Sequence, residues 1–109
     1  MPSHGLTDRQ LGILRDILTP YAEKIERVGL FGSRATGKAR ANSDIDMVLY
    51  GTLDETDIDR LRTLFDESGL ALKVDLVGYS LVDYPPFKKH IDNVMQILLT
   101  QSDLRTGKL

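Results

Sequence analysis

The sequence predicts an α/β or α+β domain, a small β-sheet covered by helices. Stretches whose apolar residues fall three and four apart alternate with short apolar runs that end at glycine. At 109 residues the chain suits a single domain, 1–109, with a modest core and no linker, repeat or low-complexity tract. Neither a parallel, an antiparallel nor a mixed sheet is singled out by the pattern.

The elements follow in order. Thr7-Asp-Arg-Gln10 reads as a capping box, and Leu11, Leu14, Ile17, Leu18 and Tyr21 supply the first helix, with Pro20 near its end. Val28-Gly-Leu-Phe31 reads as a buried strand broken by Gly32-Ser33, and Asp44-Ile-Asp-Met-Val-Leu-Tyr50 as a second, closed by Gly51. Asp54 and the acids after it suit a helix N-terminus, where they face the positive end of the dipole. Ile58, Leu61, Leu64 and Phe65 form that helix's core face, and Gly69 stops it. Leu72-Lys-Val-Asp-Leu-Val77 is the third strand. Pro85-Pro86 opens a last helix, on which Phe87, Ile91, Val94, Met95 and Leu98 make one apolar stripe.

Composition narrows the function. Lys plus Arg number 14 against 16 Asp plus Glu, a net charge of -2, so nothing favours wrapping duplex DNA. The absence of cysteine excludes a disulfide scaffold and a thiolate metal site. No apolar run approaches the roughly 18–20 residues of a membrane helix, and the polar start is no signal peptide, so a cytoplasmic location is expected. His4 and His90 lack partners at ligand spacing and read as surface residues, and Tyr79 and Tyr84 flank a turn with no assigned role.

The chemistry lies in Gly32-Ser-Arg-Ala-Thr-Gly-Lys-Ala-Arg-Ala-Asn-Ser-Asp-Ile-Asp46. Gly32 to Lys38 spells most of a phosphate-binding loop of the Walker type, but Ala39 stands where a Mg²⁺-binding hydroxyl belongs. The second half says more. Asp44 and Asp46, two apart in a strand, project from one face while Ile45, Met47 and Leu49 face the core. Adjacent carboxylates repel unless a cation or a shared proton relieves them. A Gly-Ser turn upstream could hold phosphate oxygens while the carboxylates hold Mg²⁺ on the same phosphates.

Gly32-Ser33, ten residues, then Asp44-Ile45-Asp46, with Ser43 also in place, resembles the signature of the DNA polymerase β superfamily of nucleotidyltransferases. It is most similar to the minimal members that act as antitoxin partners of HEPN-domain toxins, and the likeness covers nearly the whole chain. The resemblance implies the nucleotidyltransferase fold, a small mixed sheet covered by helices. It requires a third carboxylate on the next strand, which Asp75 supplies; the plain alternative is an edge-strand charge paired with Lys73. By the same resemblance, Asp44, Asp46 and Asp75 hold two Mg²⁺ ions, and Asp75 draws off the acceptor's proton. Gly32 lets backbone approach the triphosphate of ATP, and Ser33 donates its hydroxyl to it. Arg34 either pairs with the triphosphate or is a solvated loop residue, Lys38 and Arg40 give general attraction, and Ser43 caps the turn into the strand.

The implied activity is transfer of a nucleotide, AMP if ATP is used, to a hydroxyl on a HEPN-type helical partner. About thirty residues after Asp75, room for one helix, leave the acceptor to be presented by another chain or bound in an open cleft. A non-catalytic module that neutralises its partner by occlusion is the alternative, and self-association stays open.

Overall fold

The computed structural model describes residues 4–106. Helix α1, Asp8–Leu18, starts at the expected capping box: the Gln10 N–H donates to Thr7 Oγ1 at 3.0 Å and the Thr7 N–H to Gln10 Oε1 at 2.9 Å. Leu14 and Leu18 are buried, and Pro20 opens the 3₁₀ segment Thr19–Lys24 that turns the chain into strand β1, Ile25–Phe31. A single helical turn, α2, spans Ser33–Thr36 and ends at Gly37 in the left-handed region. Strand β2 is Ile45–Gly51, helix α3 Glu55–Asp66 and strand β3 Val74–Gly78. Asp54 caps α3 and exchanges side-chain-to-backbone bonds with Asp57.

Helix α4, Pro85–Val94, ends four residues before Leu98. Gln96–Thr100 is a fourth strand, β4, and Gln101–Thr106 a short helix, α5. One apolar stripe through Leu98 was expected, and a single helix after Asp75; two helices and a strand follow instead. The cause is the outer edge of β1, whose backbone groups β4 pairs in antiparallel fashion. Pairing steps from Val28–Leu99 to Gly29–Ile97 and skips Leu98, a bulge that erases the strict alternation by which a strand is recognised.

The sheet order is β3-β2-β1-β4, with β1 antiparallel to both β2 and β4 and β3 parallel to β2. The sheet is therefore mixed. Helices α1 and α3 cover one face, where Leu14, Leu18, Ile58, Leu61 and Phe65 meet Ile45, Met47 and Leu49. On the other face α4 lays Ile91 and Phe87 over Phe31, Val48 and Tyr50. Phe31 and Phe87 meet edge to face at 5.7 Å. Both faces being covered leaves the start of β2 as the place where polar side chains can emerge.

Candidate active site

Asp46 lies on the α4 side of β2 with Val48 and Tyr50, but at the strand's beginning, where it is half-buried. Parallel pairing sets Asp46 beside Asp75 in direct register, and neighbouring strands are about 4.8 Å apart. Asp44, two residues ahead of Asp46 and exposed, stands just outside β2. On the opposite side of Asp46 is Phe31, followed at once by Gly32. Gly32 adopts φ +75°, and a Cβ there would collide with the Asp46 carboxylate. Two constraints thus demand glycine: its backbone angle and the acid packed over it.

The Asp46 carboxyl is pushed up to about 6. Burial contributes most, then a hydrogen bond with Asp75 and the charges of Asp75 and Asp44, with Lys73 acting in the opposite direction. Lys73 Nζ is 3.6 Å from Asp75, a contact in which both side chains stay largely in water. The pairing weighed as an alternative therefore exists, and it coexists with the approach of Asp75 to Asp46. Among the described residues no three acidic side chains are drawn into a cluster at metal-ligand spacing. The donors are oxygen only and crowded enough to hold Asp46 partly protonated, which fits a hard divalent cation such as Mg²⁺.

Ser33 opens α2 next to Gly32, half-buried, and its hydroxyl makes no hydrogen bond among the described residues. Lys38 and Arg40 are exposed. Ser43 caps its turn, its Oγ accepting the Arg40 N–H at 2.8 Å. Arg34 departs from expectation. It is 2% exposed, and its terminal nitrogens donate to the carbonyls of His4 at 2.9 Å and Ser43 at 2.8 Å. Its guanidinium faces backbone carbonyls, so it is no solvated loop residue. Only its burial separates the outcomes, and a single arginine in a loop carries no sequence signal for that.

The phosphate-loop alternative fails as well: α2 is one turn long and the chain leaves it for an antiparallel strand, not for a long helix over a parallel sheet. His4 accepts the Leu6 N–H through Nδ1, and His90 is exposed. A groove of about 280 Å³ lined by Glu55, Ile58, Asp59, Arg62, Val77 and Leu81 lies against α3 and contains none of Asp44, Asp46 and Asp75.

The family model "Polymerase beta, Nucleotidyltransferase" matches residues 14–104, a span that holds all three acids and the Gly32-Ser33 turn. The chain belongs to this nucleotidyltransferase family. Among curated relatives of this nucleotidyltransferase, "Probable protein adenylyltransferase MntA" of Haemophilus influenzae is 35% identical over 77 residues, covering 69% of this chain and 67% of that one. Among solved structures, a toxin-antitoxin with AMP-PNP superposes with TM-score 0.66 at 24% identity, over 89% of this chain and 79% of that one. A mutant of the toxin-antitoxin MntA-HpeT gives 0.62 at 25%, over 84% and 74%. The fold of the nucleotidyltransferase is thus shared with the matched chain of each structure. Among its described residues no helix is long and apolar enough to cross a membrane.

Proposed function

We propose that this nucleotidyltransferase transfers AMP from ATP to a hydroxyl of a HEPN-type helical protein and so acts as the antitoxin of a toxin-antitoxin pair. The observation that carries the reading is the direct register of Asp46 with Asp75 beside the Gly32-Ser33 turn. The choice of adenylate, of a protein acceptor and of a toxin partner is supported by the names of the relatives.

Asp44, Asp46 and Asp75 are the groups that would hold divalent cations. Two Mg²⁺ ions held there would neutralise triphosphate charge and lower the pKa of the attacking hydroxyl. The Ser33 hydroxyl, without a partner among the described residues, donates to a phosphate oxygen, and Gly32 leaves room for it. The acceptor oxygen bonds to the α-phosphorus while the bond from that phosphorus to the bridging oxygen breaks. Pyrophosphate departs and Asp75 accepts the hydroxyl proton. The half-buried strand start limits water at this point, which strengthens each electrostatic contact.

Incubation with labelled ATP, Mg²⁺ and the product of the adjacent gene tests the proposal. Label on that protein, absent with Asp44→Asn, is the expected result. A tight complex with no transfer would replace it with neutralisation by occlusion, and a chain that binds no neighbouring product would end it.

A further inference from the structure

Arg34 is the one buried charged side chain among the described residues, and nothing in the transfer reaction uses it. Burying a guanidinium is costly unless its donors find partners. Here backbone meets the two terminal nitrogens: the His4 carbonyl at 2.9 Å, the Ser43 carbonyl at 2.8 Å, and those of Arg40 and Ala41 at 3.4 Å, while Nε is buried with no partner among the described residues. Among the described residues it forms no ion pair. Three of the four carbonyls belong to residues 40–43, and Asp44 comes next. Ala41 and Asn42 are exposed, so apolar burial does little to shape this loop. Its other tie is the reciprocal pair between Arg40 and Ser43, at 2.8 and 3.0 Å.

We infer that Arg34 is a positioning residue of the transfer site. By gathering the carbonyls of residues 40–43 it fixes where the chain enters β2, and thereby where Asp44 stands relative to Asp46. The inference rests on the reading of Asp44, Asp46 and Asp75 as metal-holding acids. A lysine could not replace it, since one ammonium cannot reach the His4 carbonyl and the loop carbonyls as a planar fork does. The role differs from the triphosphate contact that the sequence suggests for this residue: Arg34 acts on the site through the loop without touching the nucleotide.

The test uses the full chain with Mn²⁺ as the probe, its binding followed by electron paramagnetic resonance in the presence of a non-hydrolysable ATP analogue. Amide exchange across residues 40–46 and the melting temperature are measured alongside. Groups that orient metal ligands typically cost about 10–100-fold in metal affinity when removed. Arg34→Lys and Arg34→Met are expected to weaken Mn²⁺ binding by that order and to speed exchange in the loop. The Mg²⁺ level for half-maximal transfer should rise while the rate at saturating Mg²⁺ recovers. A purely structural arginine would lower the melting temperature and leave the Mn²⁺ affinity of the folded molecules alone; that result in Arg34→Lys overturns the inference. Asp46→Asn separates the two layers. If it binds Mn²⁺ as the wild type does, the metal reading falls and the inference with it. If it loses Mn²⁺ while Arg34→Lys keeps it, only the inference falls. Should neither Arg34 variant fold, Ser43→Ala decides: it cuts only the Oγ tie of the same loop. A smaller weakening in the same direction supports the inference, and wild-type affinity refutes it.

Discussion

Ser33 and Asp46 illustrate two ways in which one side chain can serve the site. The Ser33 hydroxyl has no bond within the described residues, so its removal costs the fold little. Against a phosphate it would make a charge-assisted hydrogen bond worth roughly 1.5–3 kcal/mol. Ser33→Ala is therefore expected to lose about ten- to a hundredfold in kcat/KM with an unchanged melting temperature; steady-state kinetics beside a thermal scan checks both. Asp46 is held under strain of a different kind, its carboxyl at about 6 against an ordinary 3.8 because of burial and of Asp75. Between those values the folded chain binds a proton that the unfolded chain has released, so stability falls as pH rises through that window and levels off above it. In EDTA the wild type should thus lose stability relative to Asp46→Asn between pH 4 and 6. Urea midpoints of both proteins across that range measure the difference, and parallel curves would refute it. At neutral pH the metal-free variant should be at least as stable as the wild type.

At the scale of elements, the final third of the chain separates what pattern can reveal from what pairing decides. Phe87, Ile91 and Val94 belong to α4 as their spacing suggests, yet Met95 and Leu98 keep that rhythm beyond the helix only by coincidence. The chain turns extended because β1 presents an unpaired edge, a fact of the sheet and not of the local sequence. A bulge at Leu98 then removes the alternation that would mark β4. The strand makes a claim that a continuous helix would not. Leu99, absent from the helical stripe, is 3% exposed, and Ile97 is 51% exposed. Leu99→Ala should cost about 2–5 kcal/mol as a core truncation, while Ile97→Thr stays within about 0.5 kcal/mol as a surface change. Chemical denaturation of the two variants checks the order.

For the molecule as a whole, binding and folding are linked through the same acids. Ligand that binds only the folded state stabilises it by about 2.7 kcal/mol at a hundred times its Kd. Mg²⁺ with a non-hydrolysable ATP analogue should therefore raise the melting temperature of the wild type and leave Asp46→Asn unmoved; an equal rise in both would remove Asp46 from the site. The candidate acids were legible in the sequence for two reasons: Asp75 is a lone charge in an apolar strand, and Asp44 and Asp46 follow the Gly32-Ser33 turn at a telling spacing. The three-element core was legible because α1, α3 and β2 follow their periods closely. Arg34 was not, since its burial depends on carbonyls from two distant segments that converge only in the fold. The parallel register of Asp46 with Asp75 has one more consequence. Leu76, next to Asp75, is buried in the core. Sliding β3 by one residue would turn Asp75 inward and Leu76 out to water, so a misaligned chain suffers the penalty in stability before any question of activity arises. Hydrophobic burial thereby acts as an error check on the chemistry. Insertions between α3 and β3 should be tolerated, because loop closure changes little with length, whereas one extra residue within β3 would break fold and transfer together.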